Sequence, residues 1–173
     1  MLKGTGAGFE PHAKVSHAML WQMIYQLAGE PELSTSADAI SNDAADAISN
    51  DAAGAAPAQP WYAVARSWCL DAGIISSSGS RDPDAPAQRR EFVHALYRSH
   101  LLLRDANPEA CADLDAFSDA SDMDSRAAAA FRWAVGSGII EGDIDVEGGR
   151  ILRPGSDLSR AELAAILYRY GTL

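Results

Sequence analysis

The sequence predicts a mainly α-helical domain built from repeated helix–loop–helix units. A proline recurs three times at the same distance before an apolar pattern of helical period. A tryptophan recurs twice at the same distance before a Gly-Ile-Ile tripeptide. Internal repeats of this kind are the first guide to architecture, because each repeat is one structural unit. The chain has 173 residues, of which 47% are hydrophobic and 22% charged, so it can bury a core of ordinary size.

The proline repeat aligns His17, Arg89 and Arg160, each of which lies six residues after a proline. Apolar or aromatic side chains follow at three, seven and eight residues, and the eighth is always a tyrosine that its helical phase assigns to the core. This spacing describes one face of a helix that follows an extended loop. The predicted helices span 16–28, 88–103 and 159–170. Short extended segments are expected before them, near 8–11, 80–83 and 150–153.

A further helix is predicted before two of these three. Trp68 and Trp133 are each followed five residues later by Gly-Ile-Ile, and small or apolar residues continue the helical stripe around each tryptophan. Gly73 and Gly138 are predicted to end these helices in the left-handed conformation, which glycine adopts at low cost. The chain is therefore predicted to contain five helices, as two full units and one unit without its first helix.

Low-complexity sequence separates the first unit from the second. The octapeptide DAISNDAA occurs at 38–45 and again at 46–53. A lengthened linker is the preferred interpretation, and a weak helix through Ile40 and Ile48 is the alternative. The predicted organisation is one domain with a partial unit over 1–30, a linker over 31–57, a second unit over 58–103, a linker over 104–115 and a third unit over 116–173.

Charge and cysteine content restrict the function classes. Lys and Arg number 14 against 24 Asp and Glu, and the net charge of −10 disfavours nucleic acid and anionic membranes as partners. The N-terminus, MLKGTGAGFEP, has no apolar run, so neither a signal peptide nor membrane insertion is expected. On that basis the chain either stays in the cytoplasm or is a fragment. Cys69 is expected to be a buried free thiol and Cys111 to lie in a polar connector, with a disulfide between them left open.

The repeats resemble S-layer homology motifs. The third copy carries the resemblance through Phe117-Ser118-Asp119, Trp133-Ala134, Gly138-Ile139-Ile140-Glu141-Gly142, Leu152-Arg153-Pro154 and Leu158-Ser159-Arg160-Ala161-Glu162. The second copy shares Trp61-Tyr62, Gly73-Ile74-Ile75, Asp82-Pro83-Asp84-Ala85-Pro86 and Gln88-Arg89-Arg90-Glu91-Phe92. The first copy keeps Phe9-Glu10-Pro11 and Val15-Ser16-His17-Ala18-Met19. The similarity covers nearly the whole chain outside 31–57 and 103–115.

This resemblance implies a noncatalytic domain that anchors bacterial proteins to the cell wall. Domains of this family combine three motifs into a pseudo-threefold helical arrangement. The grooves between their motifs bind secondary cell-wall polymers, often through a pyruvate ketal on an amino sugar. The implied partner is an anionic cell-wall glycopolymer, the implied location is the cell surface, and no enzyme activity, cofactor or metal is implied.

Five residues are candidates for polymer binding. The family's Thr-Arg-Ala-Glu segment is Ser-Arg-Ala-Glu in the third copy, Gln-Arg-Arg-Glu in the second and Ser-His-Ala-Met in the first. The resemblance therefore assigns the anion contact to Arg160 and Arg89, and less well to His17. Ser159 belongs to the same segment. Trp61 opens its predicted helix, where an aromatic face could stack on a sugar.

Physical chemistry leaves two interpretations of these residues open. Ser159 and the glutamate three residues later have the pattern of a capping box, which is a structural role. A cation in the first helical turn interacts unfavourably with the helix dipole. Another favourable interaction must therefore compensate for the positions of Arg89 and Arg160. They fit either a bound anionic group or a salt bridge to an acidic residue such as Asp84 or Asp157.

A different class of function is a protein–protein module. The first unit lacks its first helix, which should leave an apolar face open to a partner, to a second copy or to the 34–56 connector. His17 and Met19 stand where the family has Arg and Glu, so the groove of the first unit is expected to be impaired. The alternative to wall anchoring is therefore a degenerate or truncated module that serves protein contacts or self-association.

Overall fold

The computed structural model describes residues 9–32, 59–76, 81–104 and 111–172, and it is mainly helical, as predicted. Its α-helices in these ranges are α1 (His17–Leu27), α2 (Ala63–Asp71), α3 (Arg89–Arg104), α4 (Ser125–Gly136) and α5 (Arg160–Tyr170). The three helices predicted from the proline repeat begin and end within one residue of their predicted limits. The duplicated octapeptide lies outside the described residues.

Side-chain caps determine where three of the helices begin. Ser16, Asp124 and Ser159 are N-caps whose side-chain oxygens accept backbone N–H groups of the first turn. The predicted capping box is confirmed, because Glu162 N donates to Ser159 Oγ while the Glu162 carboxylate accepts from Ser159 N. The start of α5 is therefore doubly specified by its own sequence.

Glycine determines where α2 and α4 end. Gly73 and Gly138 have φ angles of 66° and 70°, which confirms the predicted left-handed ends of these helices. The amides that follow turn back to the last helical turn, since Ile74 N donates to Cys69 O and Ile139 N donates to Ala134 O, each at 2.9 Å. The isoleucine after each glycine is thereby directed into the core, where both are buried.

Two short antiparallel strands, β1 (Asp143–Ile144) and β2 (Arg150–Ile151), form a hairpin before α5. Strand β2 confirms the extended segment predicted near 150–153. Of the other two predicted extended segments, near 8–11 and 80–83, the described residues belong to no strand.

Three loop–helix junctions hydrogen-bond to one another in a closed ring. Val15 N donates to Leu158 O, Leu158 N to Ala87 O, and Ala87 N to Val15 O, over 2.8–2.9 Å. The side chains of these three residues are buried, so the ring closes around part of the core. We call these segments the junction ring, which consists of residues 11–18, 83–90 and 154–161.

The rest of the core lies between pairs of helices. Helix α1 packs against α2, and α3 packs against α4. Large side chains such as Phe92 and Phe131 are fully buried there, and each contributes about 1.5–3 kcal/mol of hydrophobic stabilisation. None of the described helices has the length and apolar character needed to cross a membrane.

Both cysteines are free. Cys69 is buried in this core, where burial raises the pKa of its thiol to about 12. Cys111 is exposed and lies in the connector before α4. The structure therefore agrees with the expected buried thiol and contains no disulfide between the two.

Candidate functional site

The backbone donors at the starts of α1, α3 and α5 are already used within the protein. The first amides of these helices, those of His17, Arg89 and Arg160, donate to carbonyl oxygens of neighbouring loops over 2.8–3.1 Å. The second amides donate to the carbonyl oxygens of the three repeated prolines over 2.9–3.0 Å. An anion at these helix starts would therefore have to be held by side chains, because the amides have no free hydrogen to offer.

Two of the predicted ligand residues contact a glutamate at the third position of the next proline-repeat helix. His17 Nε2 lies 3.0 Å from Glu91 Oε2, and His17 Nδ1 lies 3.0 Å from the Asp82 carbonyl oxygen. Arg89 Nη1 lies 3.5 Å from Glu162 Oε1. The carboxylate facing Arg89 is thus Glu162 and neither of the aspartates suggested by the sequence.

The surroundings of Arg160 are different. Its side chain is only 7% exposed, and Nη1 lies 3.9 Å from Glu10 Oε2. Its guanidinium carbon is 5.5 Å from the centre of the Phe9 ring. Met19 occupies the third helical position, where the other two helices have a glutamate, so α1 provides no carboxylate for Arg160. The pair with Glu10 is the longest ion pair among the described residues.

Glu162 contacts both Arg89 and Ser159. Burial alone would raise the pKa of Glu162, but hydrogen bonds from Ser159 and the positive charges of Arg89 and Arg153 hold it below its ordinary value. Arg153 Nη2 donates to Glu162 Oε1 at 2.7 Å. Burial also lowers the pKa of Arg89, whose Nε atom is buried without a hydrogen-bond partner. This cluster is an internal ion-pair network.

Trp61 lies apart from the arginines. It precedes α2 in a turn and is 62% exposed. Its ring packs edge-on against Tyr62 at 5.6 Å, and Tyr62 packs in turn against Trp21 at 5.7 Å. Trp61 is therefore accessible for stacking, as predicted, although its helix begins two residues later than the sequence suggested.

A groove of about 1030 Å³ lies between α1, the turn after α2, α3 and the first turn of α4. The charged side chains and histidines that line it are Arg81, Arg90, Arg98, Arg126, Glu91, Asp124, His17 and His94. The arginines outnumber the carboxylates two to one, in a chain whose net charge is −10. Such a local excess of positive charge attracts anions. Of the five predicted ligand residues, His17 lines this groove, and the other four do not.

The groove arginines differ in how they are paired. Arg81 forms an ion pair with Glu91, which also contacts His17. Across the described residues, the side chains of Arg90, Arg98 and Arg126 form no ion pair with a carboxylate. Three guanidinium groups are therefore available to a ligand in the groove.

The pKa of His94 depends on the charged side chains that surround it in the groove. Burial lowers its pKa, and the positive charges of Arg98 and Arg126 lower it further, while Asp124 opposes them. The neutral form of the imidazole is therefore favoured at the place where these cations converge. A bound anion would reverse this effect, because it would stabilise the protonated imidazole.

The sequence contains a pattern that indicates the part of the groove formed by α3. Arg90, His94 and Arg98 are spaced four residues apart, which places them along one face of α3. None of the three was predicted as a ligand, because the family resemblance directs attention to the preceding arginine, Arg89. Arg126 could not be added from sequence, since only the packing of α4 against α3 brings it to the same groove.

Comparison with models of known families and with curated proteins gives no match to this sequence. The resemblance to S-layer homology motifs therefore depends on the motif residues themselves.

Proposed function

We propose that this domain binds an anionic polysaccharide of the bacterial cell wall, as its resemblance to S-layer homology domains implies. On this proposal the chain consists of three related units about a pseudo-threefold axis, the first lacking its first helix. The junction ring supports such an arrangement, because the same backbone hydrogen bond links each junction to the next. The role is noncatalytic, and the location would be the cell surface.

The positive groove is the observation that carries the proposal. Guanidinium groups bind carboxylates with two parallel hydrogen bonds, and Arg98 and Arg126 line the groove without an ion pair to any described carboxylate. Tyr97, which is half-buried, also lines it and offers aromatic surface next to these charges. A sugar that carries a carboxylate, such as a pyruvate ketal, combines the negative charge and the apolar ring face that this lining would accept.

The arginines of the junction ring remain a separate prediction. Contacts of the polymer with Arg89, Arg160 and Ser159 are implied by the family, whereas these groups are engaged with carboxylates inside the protein. The two sets of arginines can be changed independently. Their effects on binding and on stability should therefore distinguish a ligand role from a structural role.

Cosedimentation with bacterial sacculi tests the proposal. The purified chain is expected to pellet with native sacculi and to stay in solution with sacculi stripped of their secondary polymers. In the double variant Arg98→Gln/Arg126→Gln, each substitution should weaken binding at least about tenfold. The reason is that hydrogen bonds between charged groups contribute about 1.5–3 kcal/mol each. The melting temperature of the double variant should be unchanged, because neither side chain forms an ion pair with another described residue.

Arg132→Gln is the matched control. Arg132 is exposed on α4, six residues after Arg126, and does not line the groove. Arg89→Ala and Arg160→Ala form a further arm, in which loss of pelleting by a folded variant would assign the ligand to the junction ring. Equal pelleting of the groove double variant and the unchanged chain would contradict the groove assignment. Absence of pelleting by the unchanged chain would contradict polymer binding itself.

A further inference from the structure

The tyrosine at the eighth position of the proline repeat has a different environment on α5 than on α1 and α3. Tyr25 packs against Trp68 with a ring distance of 5.7 Å, and Tyr97 packs against Trp133 at 5.4 Å. Tyr168 makes no such contact with a described aromatic residue and is 76% exposed. The predicted core role of this tyrosine is therefore wrong for the third copy, where none of the described helices covers it.

The exposed tyrosine belongs to a helix face that is buried in the other copies. On α1 this face includes Ile24, and on α3 it includes Leu96, and both of these side chains are fully buried. The equivalent Leu167 on α5 is only partly buried. Ala164 stands where the other helices have a buried tryptophan or valine. We call Ala164, Leu167 and Tyr168 the open face of α5.

The two covered faces define what kind of element fits. The covering helices α2 and α4 each bury an alanine three residues before the tryptophan and a small residue directly after it. In α4 these are Ala130 and Ala134 around Trp133. Each helix then ends at a left-handed glycine, and the following isoleucine is buried. The matching element is thus a short helix that presents a tryptophan between small residues.

No tryptophan of this chain is free to form such an element without uncovering another face in the described residues. Its four tryptophans are Trp21, Trp61, Trp68 and Trp133, so the residues outside the described ranges contain none. Trp68 and Trp133 are buried against α1 and α3, and moving either one in a second copy would expose an equal face there. Trp61 is exposed but precedes α2 and lacks the flanking pattern.

We propose that the open face of α5 binds a tryptophan-bearing helix of a partner polypeptide outside these 173 residues. This helix would lie on α5 as α4 lies on α3, with its tryptophan against Tyr168. The small side chain of Ala164 gives the incoming indole more room than Trp21 or Val93 gives in the covered copies. This inference does not depend on the proposed polymer binding, because the open face and the groove share no residue.

A synthetic helix tests the proposal directly. The probe is a peptide with the sequence of residues 124–142, held helical by a side-chain cross-link, and binding to the full chain is measured by calorimetry. We expect one peptide to bind per chain. Tyr168→Ala should weaken binding by about tenfold, because an aromatic pair and its buried area are lost. Replacing the tryptophan of the peptide with alanine should weaken it similarly, whereas Val146→Ala, which truncates a fully exposed side chain of the hairpin, should have no effect.

Three results would overturn this inference. The first is no binding of the helical peptide to the full chain. The second is equal binding to the Tyr168→Ala variant, which would mean that the peptide displaces α2 or α4 instead. The third is a dimer of the unchanged chain in sedimentation that Tyr168→Ala dissociates, which would assign the open face to a second copy. Because Tyr168 is largely exposed, the variant should keep the melting temperature of the unchanged chain.

Discussion

The cations of the junction ring and those of the groove differ in what surrounds them. Arg89 and Arg160 have side chains that are 11% and 7% exposed, and each faces a glutamate of a neighbouring segment. Arg98 and Arg126 line an open groove without a carboxylate partner in the described part of the chain. Arg89 and Arg160 thus form ion pairs within the protein, whereas Arg98 and Arg126 form none among the described residues. On the proposed function, the position of an arginine in the repeat therefore does not by itself decide whether it contacts the polymer.

The largest expected effect concerns the junction ring. Leu158→Ala removes a fully buried side chain next to a ring hydrogen bond, which should lower the free energy of unfolding by about 2–5 kcal/mol. Chemical denaturation measures this, with Val146→Ala as a surface control expected within about 0.5 kcal/mol of the unchanged chain. A cost as small as that of the control would mean that burial of the Leu158 side chain at the ring does not stabilise the fold.

An intermediate effect is expected from the titration of Glu162, which follows the ring segment 154–161. The pKa of Glu162 is held below its ordinary value in the folded state, so its contribution to stability is present above the unfolded pKa of about 4.5. That contribution is lost as the pH falls through the folded pKa. Glu162→Gln should cost about 1 kcal/mol at neutral pH through the weakened capping box, and the cost should shrink at acidic pH. Melting temperatures recorded from pH 7 to pH 3 check this, and a cost that does not depend on pH would contradict it.

The smallest effect tests the charge of the groove. Asp124 is an N-cap of α4 and contributes one of the two carboxylates that line the groove. Asp124→Asn keeps the cap, because asparagine caps as well as aspartate, and removes the negative charge. Binding to sacculi should strengthen by roughly twofold to fivefold, consistent with a surface charge contribution below about 1 kcal/mol. Weaker binding by the folded variant would contradict an anionic ligand.

The sequence predicted much of the fold because the relevant information is local. The helices of the proline repeat follow from apolar periodicity, the capping box from the spacing of Ser159 and Glu162, and two helix ends from Gly73 and Gly138. Each of these features is determined by residues within one or two turns of one another. Of the three predicted extended segments, the one near 150–153 contains a strand in the described residues, because β1 pairs with it, and local sequence does not specify such a partner.

The candidate site was predicted less well because it is formed by packing. The motif predicts that Arg89 and Arg160 sit at helix starts, but not that neighbouring loops use the helix amides and bring glutamates to the side chains. Arg98 and Arg126 lie 28 residues apart in sequence, and they line the same groove only because α4 packs on α3. Tyr168 is also much more exposed than Tyr25 and Tyr97, although the three occupy the same position of the repeat.

The titration of His94 tests the central claim most directly, because this imidazole lies inside the groove among Arg98, Arg126 and Asp124. Its pKa can be followed by NMR with and without polymer released from sacculi, the resonance being assigned with His94→Gln. The account predicts a pKa below the ordinary 6.5 in the free protein and a rise when the polymer binds. Polymer affinity should then increase as the pH falls from the His94 pKa of the polymer-bound protein to the His94 pKa of the free protein. An unchanged His94 pKa under saturating polymer would contradict the claim that the groove holds an anion.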